Sequence, residues 1–331
     1  MQRKPNILVV GSFMMDLIAS TPRAPREGET VVGLRFRTAP GGKGANQAVQ
    51  CARLGAQVTM VGRVGDDAFG KILKGAAADA GVDVTHVTVD PEESSGVGQI
   101  VLEVTEHDAR NRIVVCPGAN FTMRQEHIAW LRERIGDYDM VMMQLELPME
   151  IMETVAAWAH AAGVPVMLNP APAAPLSDAL LGCLRYLSPN EHEAALLSGH
   201  AIDVSHGVNA DDLRAVTDYF RGRGVGKLIV TLGENGSLIT DGLSIERADS
   251  VHMDKVADTT AAGDSFVAAF CTGVSAGLSE SEALIFASYA AAITVSRMGA
   301  IPSLPTLAEV KELMRRRGET RIPAEKLSGL E

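Results

Sequence analysis

The chain has 331 residues, enough to bury a large core, and 46% of them are hydrophobic while 21% are charged, as in ordinary globular proteins. Its formal net charge of −11 and the lack of a basic stripe argue against a nucleic-acid partner. No apolar run reaches the roughly 20 residues that a membrane helix needs, and glycine ends the short apolar run near the N-terminus. We therefore expect neither a membrane segment nor a signal peptide.

The cysteines and histidines show no metal-ligand spacing. Four cysteines lie far apart along the chain, and the eight histidines form no His-x-x-x-His or Cys/His cluster. We therefore expect a cytoplasmic protein without a zinc site, in which reduced thiols line the core. These thiols are Cys51, Cys116, Cys183 and Cys271.

The first predicted element is a buried strand at residues 7–11, a short β-branched run that glycine ends. Asp16 follows shortly after it, beside Met14 and Met15. Aspartates at strand ends of α/β sheets often lie where ligands bind, although Asp16 could equally form an Asx turn.

Two stretches are typical of β-hairpins rather than of strand-helix-strand units. Prolines and glycines separate short alternating pieces after residue 17, and similar pieces follow residue 98. We expect the segments at about 14–40 and 96–118 to pair into a small antiparallel sheet that stands off the main domain as a lid.

Between these hairpins, the segment 40–48 has the letters PGGKGANQA and opens a helix predicted to end near Leu54. It is not a Walker A loop, because neither serine nor threonine follows Lys43 and the glycine spacing differs. The paired glycines allow a tight turn, and Lys43 and Asn46 bring a cation and an amide to the start of the helix.

From residue 58 onward, helices alternate with short apolar strands. This alternation predicts a doubly wound, mostly parallel α/β sheet flanked by helices, and we expect a single domain over residues 1–331. Only the polar C-terminal tail at 317–331 is predicted to be loosely held. The predicted strands are at 58–61, 140–145, 164–168, 186–188 and 227–232, and the predicted helices at 67–80, 122–135, 148–162, 191–198 and 211–223.

Polar residues follow the predicted strands, at the edge of the sheet where α/β proteins bind ligands. Each of them alone could serve as a helix cap or a turn residue. So many polar residues at one edge, together with Asp16 and Asp264, favour a binding site. They are Gln144, Glu146, Asn169, Asn190, Glu191, Glu193 and Thr231.

The segment 258–266, with the letters DTTAAGDSF, is predicted to join a strand at 250–257 to a long helix. Its Ala261-Ala262-Gly263 portion would then lie at a helix N-terminus. Unpaired N–H groups and the helix dipole bind anions there, and glycine lets a phosphate approach the backbone.

Asp264 is unexpected beside such an anion site, because a carboxylate repels a bound phosphate. It suits the role of a base that accepts the proton of a hydroxyl attacking the phosphate. The alternative is that Asp264 only stabilises the first helical turn, while Asp258 or Thr260 caps the helix.

In these segments and their order, the chain resembles the ribokinase-like carbohydrate kinases of the PfkB type, and among them the ribokinase and deoxyribokinase branch. The resemblance covers about residues 6–316. It implies a ribokinase-like fold and an ATP-dependent phosphotransferase with an alcohol acceptor, Mg²⁺ and an activating K⁺. It is carried by the letters GGKGANQA at 41–48, GDD at 65–67, QLE at 144–146, NPAP at 169–172, PNE at 189–191 and DTTAAGD at 258–264.

The resemblance also implies roles for individual residues, with Asp264 matching the catalytic base. The positions that match the anion hole are Ala261, Ala262 and Gly263. The positions that match sugar contacts are Met14, Asp16, Gly42, Lys43, Asn46, Glu146 and Asp264. The positions that match the ATP site are Asn190, Thr231, Gly233, Gly236, Gly263 and Ser288, and Glu193 matches a Mg²⁺ contact made through water. The positions that match the K⁺ loops are Asp258, Thr260, Thr294, Arg297, Gly299 and Ser303.

The chain departs from the usual pattern of this branch at Met14. Ribokinases of the branch usually read Gly-Ser-x-Asn-x-Asp there, whereas residues 11–16 read GSFMMD, as in similar kinases of 2-deoxyribose. A thioether cannot donate a hydrogen bond to a ring hydroxyl, so the resemblance predicts a sugar that lacks this hydroxyl. The alternative is that Met14 packs against Phe13 and the lid while another group binds the hydroxyl.

These expectations describe an ATP-dependent kinase for the 5-hydroxyl of 2-deoxy-D-ribose or D-ribose. One alternative is a kinase for another sugar or a nucleoside, and another is a catalytically silent sugar-binding regulatory protein, against which the intact Gly263 and Asp264 argue. Apolar residues of the lid, namely Val31, Leu34 and Phe36, favour a homodimer in which a second lid covers them.

Overall fold

The computed structural model describes residues 3–104, 109–204 and 208–331. In these residues a large sheet has helices on both faces, and a smaller sheet stands beside it. The strands of the large sheet are β1 (Asn6–Val10), β4 (Gln57–Gly65), β5 (Val87–Asp90), β8 (Met140–Gln144), β9 (Val166–Asn169), β10 (Tyr186–Leu187), β11 (Lys227–Thr231), β12 (Ser237–Thr240) and β13 (Ile245–Ala248), and those of the small sheet are β2 (Met14–Thr21), β3 (Arg35–Gly41), β6 (Val97–Val104) and β7 (Ala109–Cys116).

The large sheet has the strand order β13-β12-β11-β10-β9-β8-β1-β4-β5. Every pair from β11 to β5 is parallel, and β12 and β13 add an antiparallel edge. The doubly wound, mostly parallel fold class predicted from the sequence is therefore confirmed. The helices are α1 (Lys43–Arg53), α2 (Ala68–Asp79), α3 (Gln125–Ile128), α4 (Leu131–Arg134), α5 (Met149–Ala161), α6 (Asp178–Leu181), α7 (Glu191–Ser198), α8 (Ala210–Arg221), α9 (Ala262–Ser275), α10 (Glu280–Val295) and α11 (Leu307–Arg316).

The central strand β1 shows how the sheet divides the hydrophobic core. Ile7 and Val9 belong to the cluster that includes residues of α9 and α10, whereas Leu8 and Val10 belong to the cluster that includes residues of α5 and α8. Successive side chains of a strand point to opposite faces, and here both faces are buried. This is why the strand is apolar throughout rather than alternating.

The small sheet has the order β3-β2-β6-β7. Its outer pairs are antiparallel, and its central pair β2–β6 is parallel. All four strands lie within or next to the segments expected to form a lid. Val32, Leu34 and Phe36 leave at least 63% of their surface exposed beside or on β3.

Two elements differ from the sequence prediction. The helix expected at 122–135 is divided into α3 and α4, although Ala129 and Trp130 between them keep right-handed helical backbone angles, so that only the hydrogen-bond ladder is interrupted. The strand expected at 250–257 is absent, since this segment is a loop after β13. The N–H groups of Ala257 and Asp258 both donate to a single carbonyl, that of Val295, instead of forming a ladder.

The expectation of a loosely held tail is wrong. Ile322, Leu327 and Leu330 are buried, and Lys326 forms an ion pair with Glu282 on α10. The apolar residues that anchor this tail are few and irregularly spaced. Because the rest of the tail is polar, its composition did not predict that it packs against the domain.

All four cysteines are free, but the expectation that they line the core holds only for Cys51 and Cys271. Cys116 is exposed at the end of β7, and Cys183 is half-buried in the turn after α6. Among the helices of the described ranges, none has the length and apolar character that crossing a membrane would require.

Candidate active site

The N-terminus of α9 forms the predicted anion-binding turn. Ala261 caps the helix with a left-handed backbone (φ 61°), a strained conformation for a residue with a side chain. The N–H group of Ala262 donates to the carbonyl of Thr259 at 3.2 Å. Within the described ranges, the N–H groups of Gly263 and Asp264 find no protein acceptor. Two free donors at the positive end of a fourteen-residue helix are therefore available to an anion.

Asp264 is held at this turn by two amides of α1. Its side chain is 6% exposed. The Nδ2 group of Asn46 donates to its Oδ2 at 2.9 Å, and the Nε2 group of Gln47 donates to its Oδ1 at 3.0 Å. Both oxygens of this buried carboxylate accept hydrogen bonds from side chains of another helix. Asp264 therefore does not serve only to stabilise the first turn of α9.

A second carboxylate lies on the lid side of this turn. Glu146 accepts hydrogen bonds from the hydroxyl of Ser12 and, at 3.0 Å, from the backbone N–H of Lys43. Burial raises the pKa of Glu146. Burial also lowers the pKa of Lys43, but the charges of Asp264, Glu146 and Glu193 outweigh this effect, so that its pKa is raised and the ammonium stays charged.

Asp16 lies on β2, where the lid meets the large sheet. Burial, followed by the charges of Glu146 and Asp258, raises its pKa to about 6. Within the described part of the chain, no donor binds its carboxylate. Asp16 is therefore a partly buried acceptor to which none of the described residues donates.

Met14 is buried at the start of β2, 4% exposed. Gly42 lies directly against it with φ 97°, and a Cβ atom at position 42 would lie 2.6 Å from the backbone nitrogen of Met14. Only glycine allows this approach, so that the paired glycines bring the start of α1 against the start of β2.

The predicted nucleotide side borders a cavity of about 210 Å³, which Asp264 and Lys43 also line. Asn190 and Glu193 form a reciprocal capping box at the start of α7, with bonds of 2.9 and 2.8 Å, and burial raises the pKa of Glu193. Thr231 forms an isolated parallel bridge with Asn190. The remaining residues that line the cavity are Asn169, Ala171, Ser188, Thr259, Ala261, Ala262, Gly263 and Val267.

Three further predicted ATP-site residues do not line this cavity. Gly233 lies in the turn after β11. Gly236 follows it with φ 82°, and a Cβ atom there would lie 2.2 Å from the carbonyl oxygen of Ala248, which is a structural reason for this glycine. Ser288 lies inside α10, and its hydroxyl donates to the carbonyl of Leu284 at 3.0 Å. The structure does not bring Ser288 together with the others.

Part of the predicted K⁺ site comes together around Asp258. Its carboxylate accepts hydrogen bonds from the N–H and hydroxyl groups of Thr260, at 2.9 and 2.6 Å, and from the N–H group of Gly299 at 2.9 Å. Burial would raise the pKa of Asp258, but these bonds outweigh it and lower the pKa. The other three predicted residues have local partners: Thr294 donates to Ser265, Arg297 pairs with Glu309, and Ser303 donates to the carbonyl of Ala300.

Sequence reasoning missed the polar residues that hold the site together. Gln47 binds Asp264, but no role was predicted for it, although it lies next to Asn46 in the glycine-rich segment. Ser12 binds Glu146, and Ser188 leaves its buried hydroxyl unpaired within the described residues. Adjacency to Asn46 could have pointed to Gln47, but no local signal marks Ser12 or Ser188.

Residues 4–307 match the family described as pfkB family carbohydrate kinase. A ribokinase of Schizosaccharomyces pombe is 41% identical over 313 residues, which cover 92% of this chain and 96% of the relative. A deoxyribokinase of Salmonella typhimurium is 32% identical over 93% of this chain and 98% of its own length. The structure of Arabidopsis thaliana ribokinase complexed with ribose and ATP superimposes with a TM-score of 0.85 at 33% identity, over 95% of this chain and 99% of that chain. The chain therefore belongs to the pfkB family of carbohydrate kinases.

Proposed function

We propose that this protein is an ATP-dependent pentose kinase that phosphorylates the 5-hydroxyl of 2-deoxy-D-ribose, D-ribose or both. The observation that carries the proposal is the placement of Asp264. Its buried carboxylate is fixed by two amides and lies beside the free N–H groups at the start of α9. The similarity to a ribokinase and a deoxyribokinase supports the choice of pentoses.

In this proposal Asp264 accepts the proton of the sugar's 5-hydroxyl as that oxygen attacks the γ-phosphorus. A new oxygen–phosphorus bond forms, the bond from the γ-phosphorus to the β–γ bridging oxygen breaks, and ADP leaves with that oxygen. The free N–H groups of Gly263 and Asp264, next to Ala261 and Ala262, stabilise the charge that spreads over the transferred group. A positioned base accelerates a reaction by ~10²–10⁴-fold, and an anion-hole donor accelerates it by ~10²–10³-fold.

The sugar hydroxyls would bind where the structure leaves acceptors without partners. The Oδ1 atom of Asn46 is buried and unpaired among the described residues, and the carboxylate of Asp16 has no donor there. Glu146 and Lys43 supply a third acceptor and a cation at the same place, and Gly42 lets the start of α1 approach Met14 there. Such groups cost stability when unpaired, and sugar hydroxyls would satisfy them.

Met14 supports 2-deoxyribose as a preferred substrate. Its buried thioether lies two residues before Asp16 on β2 and offers a hydroxyl no donor and only a weak acceptor. An apolar wall rejects an added hydroxyl by only about 10²-fold, so ribose should also be used, with a lower specificity constant.

The nucleotide would occupy the cavity beside Asp264, near Asn190, Thr231, Gly233 and Gly236. The donor set fits Mg²⁺ bound through water, because Glu193 faces this cavity and the buried hydroxyl of Ser188 is unpaired among the described residues. When bound, Mg²⁺ would neutralise phosphate charge. Glu193 would orient its water ligands, and Lys43 would contribute a second positive charge.

The loops around Asp258 fit a K⁺ ion. The carbonyl oxygens of Asp258, Thr260, Arg297, Gly299 and Ser303 accept no hydrogen bond from any described residue, and hard cations prefer such oxygens. When bound, K⁺ would neutralise the anionic loop next to the anion hole. Asp258 itself would fix the loop through its bonds to Thr260 and Gly299. Thr294 contacts Ser265 on α9 and supports the same region.

We further propose that the chain forms a single kinase domain, that it acts in the cytoplasm, and that two copies form a homodimer through the lid. Three exposed apolar side chains support an isologous contact between lids, namely Leu34 next to edge strand β3, Phe36 on β3, and Val114 on the same face of the other edge strand, β7. Phe36→Glu should lower the molar mass measured in solution from that of a dimer to that of a monomer. An unchanged mass would contradict the contact.

The test of function is ADP formation from ATP with a panel of pentoses and nucleosides, with and without K⁺. We expect the largest specificity constants with 2-deoxyribose and ribose, and faster turnover when K⁺ replaces Na⁺. ADP formation that depends on a nucleoside or on a hexose alone would contradict the pentose assignment. If none of these acceptors supports ADP formation from ATP, the kinase proposal itself is contradicted.

A further inference from the structure

Four polar groups form a continuous hydrogen-bonded chain behind the catalytic base. Gln144 donates from Nε2 to the Oε1 atom of Gln47 at 2.7 Å. Gln47 donates from Nε2 both to Asp264, at 3.0 Å, and to the Oδ1 atom of Asn169, at 3.2 Å. Asn169 donates from Nδ2 to the backbone carbonyl of Ser188 at 3.0 Å. Gln47 is fully buried, and the other two amides are at most 8% exposed.

The carbonyl of Ser188 sets the direction of this chain, because a backbone oxygen can only accept a hydrogen bond. Asn169 must therefore present its amino group to Ser188 and its oxygen to Gln47. Gln47 must in turn present its amino group toward Asn169 and Asp264. The same constraint turns the oxygen of Gln47 toward Gln144.

We infer that Gln47 is a positioning residue, which holds the carboxylate of Asp264 in the orientation that accepts the sugar's proton. This inference rests on the proposed function. Asn46 also binds Asp264, but the unpaired oxygen of Asn46 is part of the proposed sugar site. Gln47 is not part of the proposed sugar site, so its hydrogen bond to Asp264 does not depend on the substrate.

The chain of amides joins the base to the sheet rather than to the lid. Gln144, Asn169 and Ser188 follow or end the neighbouring strands β8, β9 and β10 at their carboxyl ends. Asp264 is therefore oriented by buried groups at the strand ends of the large sheet, without a contact from the lid in this chain of amides. A fixed donor of this kind needs no reorganisation during the reaction.

Two replacements of Gln47 test the inference. Gln47→Met keeps the length of the side chain but removes both the donor and the acceptor. Gln47→Glu keeps an acceptor for Gln144 and places a second carboxylate beside Asp264. We expect kcat to fall by about 10–100-fold for Gln47→Met and further for Gln47→Glu, as for a lost preorganised donor, with the KM values of sugar and ATP changed less than about threefold.

A double-mutant cycle distinguishes positioning from a merely structural role. If Gln47 acts through Asp264, adding Gln47→Met to Asp264→Asn should lower the residual kcat by less than about twofold. The same loss in both backgrounds would overturn the inference. A wild-type kcat in Gln47→Met and Gln47→Glu would also overturn it.

Gln50→Met is the matched control, since Gln50 is an equally buried glutamine on α1 that bonds Pro305 and Ser265 but not Asp264. We expect it to destabilise the protein as much as Gln47→Met while keeping kcat within about threefold of wild type. Rates are divided by the folded fraction from thermal unfolding, so that poor folding of one variant leaves the other interpretable. If the wild-type protein phosphorylates no pentose, the proposed function fails; if it does and the Gln47 variants match it, only the inference fails.

Discussion

The two sides of Asp264 are built differently. On the proposed sugar side, the partly buried carboxylate of Asp16 and the buried oxygen of Asn46 are acceptors that lack a partner within the described residues. On the proposed nucleotide and cation side, most polar side chains already have structural partners, as in the capping box of Asn190 and Glu193 and the ion pair of Arg297, and the hydroxyl of Ser188 is the exception within the described residues. Unpaired buried groups are costly unless a ligand satisfies them, so the sugar side should respond sharply to single substitutions and the nucleotide side mildly.

Asp16→Asn should give the largest effect on substrate binding. We expect the KM for the sugar to rise by about 10–100-fold, because hydrogen bonds to a charged group are worth ~1.5–3 kcal/mol, while the KM for ATP stays close to wild type. Steady-state kinetics with each substrate varied in turn measures this. Equal rises in both KM values would mean that Asp16 does not belong to the sugar side.

The same substitution should stabilise the protein. Because burial raises the pKa of Asp16 from 3.8 to about 6, ionisation destabilises the fold by on the order of 3 kcal/mol above pH 6, an effect that fades as the pH falls and vanishes below 3.8. Thermal unfolding of Asp16→Asn should therefore show a higher midpoint than wild type at pH 8 and a smaller gain at pH 5. A lower midpoint at pH 8 would contradict the assigned pKa.

Acidification should weaken sugar binding for the same reason. Protonation of Asp16 below pH 6 removes the charged acceptor, so that the sugar KM should rise roughly tenfold between pH 7 and pH 5, as for a single required ionisation. Asp16→Asn is the control, and its KM should change much less over this range. A parallel rise in both proteins would assign the effect to another group.

Met14→Asn should change which pentose is preferred. A new donor next to the ring should move the ratio of specificity constants about tenfold toward ribose, with Met14→Leu as an apolar control of similar volume. Competition between the two sugars measures the ratio directly. If Met14→Asn and Met14→Leu give the same ratio, Met14 serves packing alone.

Glu193→Gln should have the smallest effect and tests the nucleotide side. Glutamine can keep the capping box and removes a charge that burial disfavours, so stability should not fall, while loss of the charge should raise the KM for magnesium-ATP only about threefold through a water-mediated contact. Asn190→Ala should instead cost about 1 kcal/mol of stability as a lost cap. A lower unfolding midpoint in Glu193→Gln without a kinetic change would mean that Glu193 serves only as part of the helix cap.

Sequence patterns predicted the site where local rules decide the structure. The letters around Asp264 do form a helix N-terminus, as local sequence rules predict, and Asn190 is indeed a cap, as its alternative interpretation held. Adjacency to Asn46 could place Gln47 near the site, but its contacts could not be predicted, because its partners Gln144 and Asn169 lie 97 and 122 residues away along the chain. Only the assembled sheet edge brings these amides together.

The same limit explains the errors in the fold. Residues 250–257 have an alternating pattern, yet no strand edge of the large sheet pairs with them, and they run as a loop toward α9. Buried apolar side chains of the tail belong to the same core cluster as residues far away in sequence, and one of these tail residues, Leu330, lies with its carbonyl oxygen against Gly55. Long-range contacts decided both cases.

The central claim is that Asp264 deprotonates the sugar's hydroxyl, and turnover by Asp264→Asn tests it most directly. Asparagine keeps the size of the side chain but cannot accept the proton, so kcat with 2-deoxyribose or ribose should fall by about 10²–10⁴-fold. Calorimetry should show that the variant still binds the sugar with an affinity close to wild type. A kcat within about tenfold of wild type, with sugar binding intact, would contradict the account.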